Sequence, residues 1–65
     1  MIERPYRVEL GDHERTIVRR DADEGEADAA ARRISRRHPK IRVHVVHRDT
    51  GIVRSFEAGA RVSRT

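Results

Sequence analysis

The sequence predicts a small α+β domain: a two-layer ββαββ unit with one helix packed on a four-stranded, mainly antiparallel sheet. Three observations predict it. Two stretches of alternating apolar and polar residues flank a single alanine-rich segment of helical period on each side. Turn residues separate the stretches within each pair. The chain has only 65 residues, which is room for one hydrophobic core and one layer of helix.

Residues 6–10, Tyr-Arg-Val-Glu-Leu, alternate with period two and read as a half-buried strand. Gly11 to Glu14 supply a turn. Arg15 to Arg20 read as the returning strand, with its register left open because Ile17 and Val18 are adjacent and face opposite ways. Asp21 or Asp23 offers a helix N-cap, and Glu24, Glu26 and Asp28 suit the positive end of the helix dipole. Ala27, Ala30, Ala31 and Ile34 recur at i, i+3, i+4 and i+7, which is one helical face. Pro39 stops the helix near Arg37 or His38. A third strand is predicted over residues 41–46. Asp49, Thr50 and Gly51 form the turn. A fourth strand follows over 52–57, with Ile52, Arg54 and Phe56 on one face. The whole chain, 1–65, is one domain with an ordered core over 5–58 and a loose tail over 59–65.

One helix covers one sheet face. The other is expected to carry Arg7, Glu9, Arg42, His44 and Ser55, with Val18, Val46 and Val53 among them as a candidate self-association surface. The thin core favours that reading, since a chain without cysteine has no disulfide to stabilise it.

The helix from Glu26 to Ile34, followed by Val43-His44-Val45-Val46-His47-Arg48-Asp49-Thr50-Gly51-Ile52, resembles a family of very short bacterial and phage domains of unknown function. The resemblance spans residues 6–57. It departs at Thr50, inserted between Asp49 and Gly51, and in lacking the aromatics that such domains often carry in the first hairpin. It implies the ββαββ fold and carries over no activity and no functional residue.

Net charge is +4, and its distribution is lopsided. Residues 1–31 hold five arginines against nine acids, and residues 32–65 hold ten basic residues against two acids. Arg32, Arg33, Arg36, Arg37, Lys40 and Arg42 form a dense basic run at the helix end and the start of the third strand. Guanidinium forks match carboxylate and phosphate oxygens. Two functional expectations follow. The first is a non-enzymatic interaction module, self-associating and docking on a protein partner through its open sheet face and arginine-rich helix end. The alternative is nucleic-acid binding through the basic run at 32–42.

Catalytic and metal patterns are weak. His44 and His47 fall on opposite faces of a strand, and no spacing matches a zinc pattern, so neither metal nor cofactor is expected. His47-Arg48-Asp49 spells a kinase triplet without any of its partner motifs. Ser55 comes near His44 only if the third and fourth strands pair in the right register. No nucleophile elbow or phosphate-cradling loop is present, and enzyme activity is not expected. No apolar run reaches membrane-spanning length, and neither a membrane partner nor a secretory leader is expected, so a cytoplasmic location is.

Overall fold

The computed structural model describes residues 3–62. The order is β1 (Tyr6–Leu10), β2 (Thr16–Asp21), α1 (Glu24–Arg37), β3 (Val43–His47), β4 (Gly51–Glu57) and β5 (Ala60–Arg61). The strands form one sheet in the order β2-β1-β3-β4-β5, with every neighbouring pair antiparallel. The helix packs on one face, which makes the molecule a two-layer α+β fold.

The helix forms where local signals agree. Asp23 is the N-cap and accepts a hydrogen bond from the backbone N–H of Glu26 at 3.3 Å. Glu24 and Glu26 stand in the first turn, Arg36 and Arg37 in the last, and His38 caps the C-terminus. Ala27, Ala30 and Ala31 are buried, and so is Ser35. Their small side chains bring the helix axis close to Val8, Val43, Val45 and Phe56, the large members of the core. Tyr6, Leu10 and Ile34 close its margins. Tyr6 also meets His47, its partner across β1 and β3, edge to face at 4.9 Å.

Two bulges change the predicted faces. Between β1 and β2, Val8 pairs with Arg19 and Glu9 with Ile17, so Val18 is the extra residue. This settles the ambiguity at Ile17 and Val18. Arg19 and Asp21 share the helix-side face with Val8 and Tyr6, while Ile17 lies with Glu9 on the open face. Between β3 and β4, Val45 pairs with Arg54 and Val46 with Ile52, so Val53 is extra. Arg54 and Phe56 stay on the helix side, but Ile52 crosses to the open side, contrary to the uninterrupted alternation read from the sequence.

Two more boundaries differ. The third strand starts at Val43, and Ile41 lies before it, 39% exposed. The segment expected to be loose from residue 59 instead turns back as β5. Ala58 and Gly59 both have positive φ, 52° and 81°, which is the geometry of a two-residue hairpin turn. Ser35 Oγ accepts the Gly59 N–H at 2.9 Å and donates to the Arg32 carbonyl at 2.8 Å, tying this turn to the helix. Residues 63–65 of the expected tail lie outside the described residues.

Candidate functional site

The basic helix end is built by the helix period. At 3.6 residues per turn, Arg32, Arg33, Arg36 and Arg37 fan over an arc of about 140° on the side opposite the buried alanines. All four are exposed, as is Lys40 in the loop beyond. The fan has two flanks. Arg33 and Arg37, with Arg19 of β2, line a groove of about 190 Å³ over Ala30 and Ile34. On the other flank the Arg32 guanidinium lies 5.5 Å from the Phe56 ring centre, and the Arg36 stem runs over Gly59. Arg42 is separate. It lies 3.8 Å from Glu57 and lines a hollow on the open sheet face, so five of the six predicted basic residues form one cluster.

Ion pairing determines where charge is left over. Glu9 is gripped by Arg7 and Arg15, Asp21 by Arg19, Glu3 by Arg48, and Glu24 and Asp28 together by Arg54. The hydrogen bond to Asp21 raises the Arg19 pKa above the ordinary arginine value, and the bond to Glu3 does the same for Arg48. For Arg54, burial opposes the charged form, but the hydrogen bonds to Glu24 and Asp28 outweigh it and the pKa is again raised. By contrast, Arg32, Arg33, Arg36, Arg37 and Lys40 have no carboxylate within 4.0 Å among the described residues.

The open sheet face carries a polar network at its centre. Val46 lies on this face but is 3% exposed, so it has little surface to offer a partner. Val18, on edge strand β2, is 42% exposed, and Val53 is half-buried in its bulge. The three valines are thus not one continuous patch. Exposed apolar surface comes instead from Val18, Ile17 and Ile52.

Beside Val46 lies a constellation that was expected only if β3 and β4 paired in the right register. His44 and Ser55 are directly paired across β3 and β4. The Ser55 carbonyl accepts from Val62 on its other side, so its pair with His44 is of the closer, non-hydrogen-bonded kind. Ser55 Oγ lies 2.7 Å from His44 Nδ1, and His44 Nε2 lies 3.1 Å from Asp12 Oδ1. His44 is 5% exposed. Strand register brings the first two residues together, and the β1–β2 turn delivers Asp12. The turn was legible in the sequence, but its contact with a residue 32 positions away was not. His44 and Ser55 line the hollow, about 490 Å³ in volume, together with Arg42 and Arg61.

Among the described residues, no helix is long and apolar enough to cross a membrane, and no cluster of His, Asp and Glu is arranged to hold a metal ion. No protein-family model, curated protein or solved structure matches the chain.

Proposed function

We propose that the protein is a binding module for a polyanion, and that its ligand is the phosphate backbone of double-stranded nucleic acid. One observation carries this reading: five cations at the helix end have no carboxylate partner among the described residues, whereas seven of the eleven acids lie within 4.0 Å of an arginine. From Arg32 to Arg37 the helix rises about 7.5 Å, a span over which a duplex presents several phosphates. A duplex is favoured over a single strand because the aromatics are occupied. Phe56 is buried beneath Arg32, and Tyr6 is packed against His47, so neither is free to stack on a base. Binding through phosphates alone is insensitive to sequence. A cytoplasmic location accords with such a ligand.

Fluorescence anisotropy of a labelled random-sequence duplex, titrated at several salt concentrations, tests the proposal. Up to five phosphate contacts give a log–log slope of up to about −4.5. Changing Arg33 and Arg37 together to alanine should flatten that slope by about two units. No binding at low salt, or an unchanged slope in the double variant, rejects the proposal.

A second reading is self-association or docking on a protein partner. It is supported by Ile17 and Val18, 43% and 42% exposed on an edge strand. It ranks second because that strand carries a bulge and the charged Arg19 and Arg20, with Arg15 just before it, which are devices that hinder strand addition. Sedimentation at micromolar concentration separates the two: a dimer dispersed by Val18→Lys would favour the second.

A further inference from the structure

We propose that Ser55 is an activated nucleophile, with His44 as its general base and Asp12 as the residue that positions His44, and that the open-face hollow takes esters of acids bearing a second negative charge. This proposal is independent of the basic helix end and goes beyond binding. The hydrogen-bond directions are consistent with one another. Asp12 Oδ1 at 3.1 Å accepts the His44 Nε2–H. That leaves the Nδ1 lone pair to accept the Ser55 hydroxyl proton across 2.7 Å. His44 is nearly buried between two strands, so its ring is held in the plane that serves both contacts. Ser55 opens on a hollow lined also by Arg42 and Arg61. Arg61 has no carboxylate partner among the described residues, and Arg42 has only a distant one, Glu57 at 3.8 Å. Their charge suits an acyl group that ends in a carboxylate.

The chemistry balances with water as the only co-reactant. Ser55 Oγ bonds to the ester carbonyl carbon while its proton passes to His44 Nδ1. The bond to the leaving oxygen breaks, and that oxygen takes the proton from His44. Water then attacks the acyl group on Ser55, His44 removes its proton, and the carboxylic acid departs as the proton returns to Ser55 Oγ.

The test uses the full chain, with circular dichroism to confirm that each variant is folded. A fluorophosphonate probe should form an adduct on Ser55, located by peptide mass spectrometry, with fluoride as the leaving group. Ser55→Ala should abolish that adduct. His44→Gln should slow labelling by about 100-fold, the lower end of what general-base assistance supplies. Asp12 is exposed at a turn, so Asp12→Asn leaves the core intact. It keeps an acceptor oxygen for the His44 Nε2–H and should retain most of the labelling rate, whereas Asp12→Ala, which removes that acceptor, should slow labelling by up to about 100-fold. The 4-nitrophenyl monoester of succinic acid should be cleaved faster than 4-nitrophenyl acetate, and Arg61→Ala should shrink that ratio. A folded wild-type protein that forms no Ser55 adduct overturns the proposal, as does equal labelling of Ser55→Ala. An Asp12→Ala variant that labels as fast as the wild type removes Asp12 from the positioning role.

Discussion

Arg54 stands where a β-strand of this sheet should contribute to the core. It lies opposite Val45, on the same face as Phe56, yet it carries a full charge. Its guanidinium reaches Glu24 at 3.2 Å and also Asp28, one helical turn further on. Its side chain is 19% exposed, against 30% for Asp28 and 43% for Glu24. Breaking a fully buried pair costs about 3–5 kcal/mol, and breaking an exposed one about 0–1. This clamp lies between those limits, so Arg54→Met, which keeps the length of the stem, should cost about 2 kcal/mol. For a domain of this size that lowers Tm by roughly 8–16 °C. Urea unfolding followed by circular dichroism provides the assay, within a double-mutant cycle that includes Asp28→Asn. Asp28→Asn should cost about 1 kcal/mol less in the Arg54→Met background than in the wild type. The sign with pH follows from the raised Arg54 pKa. The clamp's contribution is fully present below the ordinary arginine range and is lost only as pH rises through the higher folded value. Melts between about pH 7 and about pH 10 should therefore show an unchanged gap between wild type and variant. A cost below about 0.5 kcal/mol, or an Asp28→Asn effect equal in both backgrounds, would mean that the clamp adds nothing of this size.

Two further predictions concern packing and turns. Phe56 is 1% exposed and is the largest fully buried side chain, so Phe56→Ala should cost about 3–5 kcal/mol and abolish cooperative melting in a domain this small. Phe56→Leu should keep a cooperative transition at a cost of about 1–1.5 kcal/mol. Gly51 and Gly59 both have positive φ, 88° and 81°, but a Cβ at Gly51 meets nothing within 4 Å. At Gly59 it would lie 2.5 Å from Arg36 Cγ. Gly51→Ala should therefore cost only the backbone term, about 1–2 kcal/mol, and Gly59→Ala measurably more. Adding Arg36→Ala should relieve the excess at Gly59; if thermal melts show the same deficit with and without Arg36, the contact is not its source.

The helix was legible because its signals are local: an aspartate cap, an alanine stripe and a proline just past the end, all within a few residues of where they act. The strands were legible as strands but not in their facing. Period-two reading assumes one residue per step, and the bulges at Val18 and Val53 each insert one residue that only the partner strand reveals. The last hairpin had its signal in Ala58-Gly59, but a two-residue strand draws its stability from Ser35, 24 positions earlier. For the candidate sites the same division holds. The basic cluster lies mostly within one helix, so its members could be named from the sequence, except that the chain carries Arg42 round to the other layer. The Ser55, His44 and Asp12 group depends on strand register and on a turn; the turn is encoded around Asp12, but its contact with His44, 32 positions away, is not encoded near either residue.

The unequal charge of the two halves has a structural meaning that composition alone does not give. Read along the chain, the acidic first half and basic second half suggest two surfaces of opposite sign. Folding brings them together: Arg54 from the second half clamps Glu24 and Asp28 from the first, Arg48 pairs with Glu3, and His44 meets Asp12. Within the first half, Arg7, Arg15 and Arg19 hold Glu9 and Asp21. The acids are thus largely used up within the fold. Arg54 and Arg48 are used up with them, because they sit on or beside β4, within reach of the helix start and the N-terminal segment. Among the described residues, the helix end is the one dense basic stretch whose neighbours offer no acid, since β2 keeps its aspartate for Arg19 and β4 keeps its glutamate for Arg42. The uncompensated charge is therefore set by topology, and the proposed polyanion would meet it on the outer side of α1.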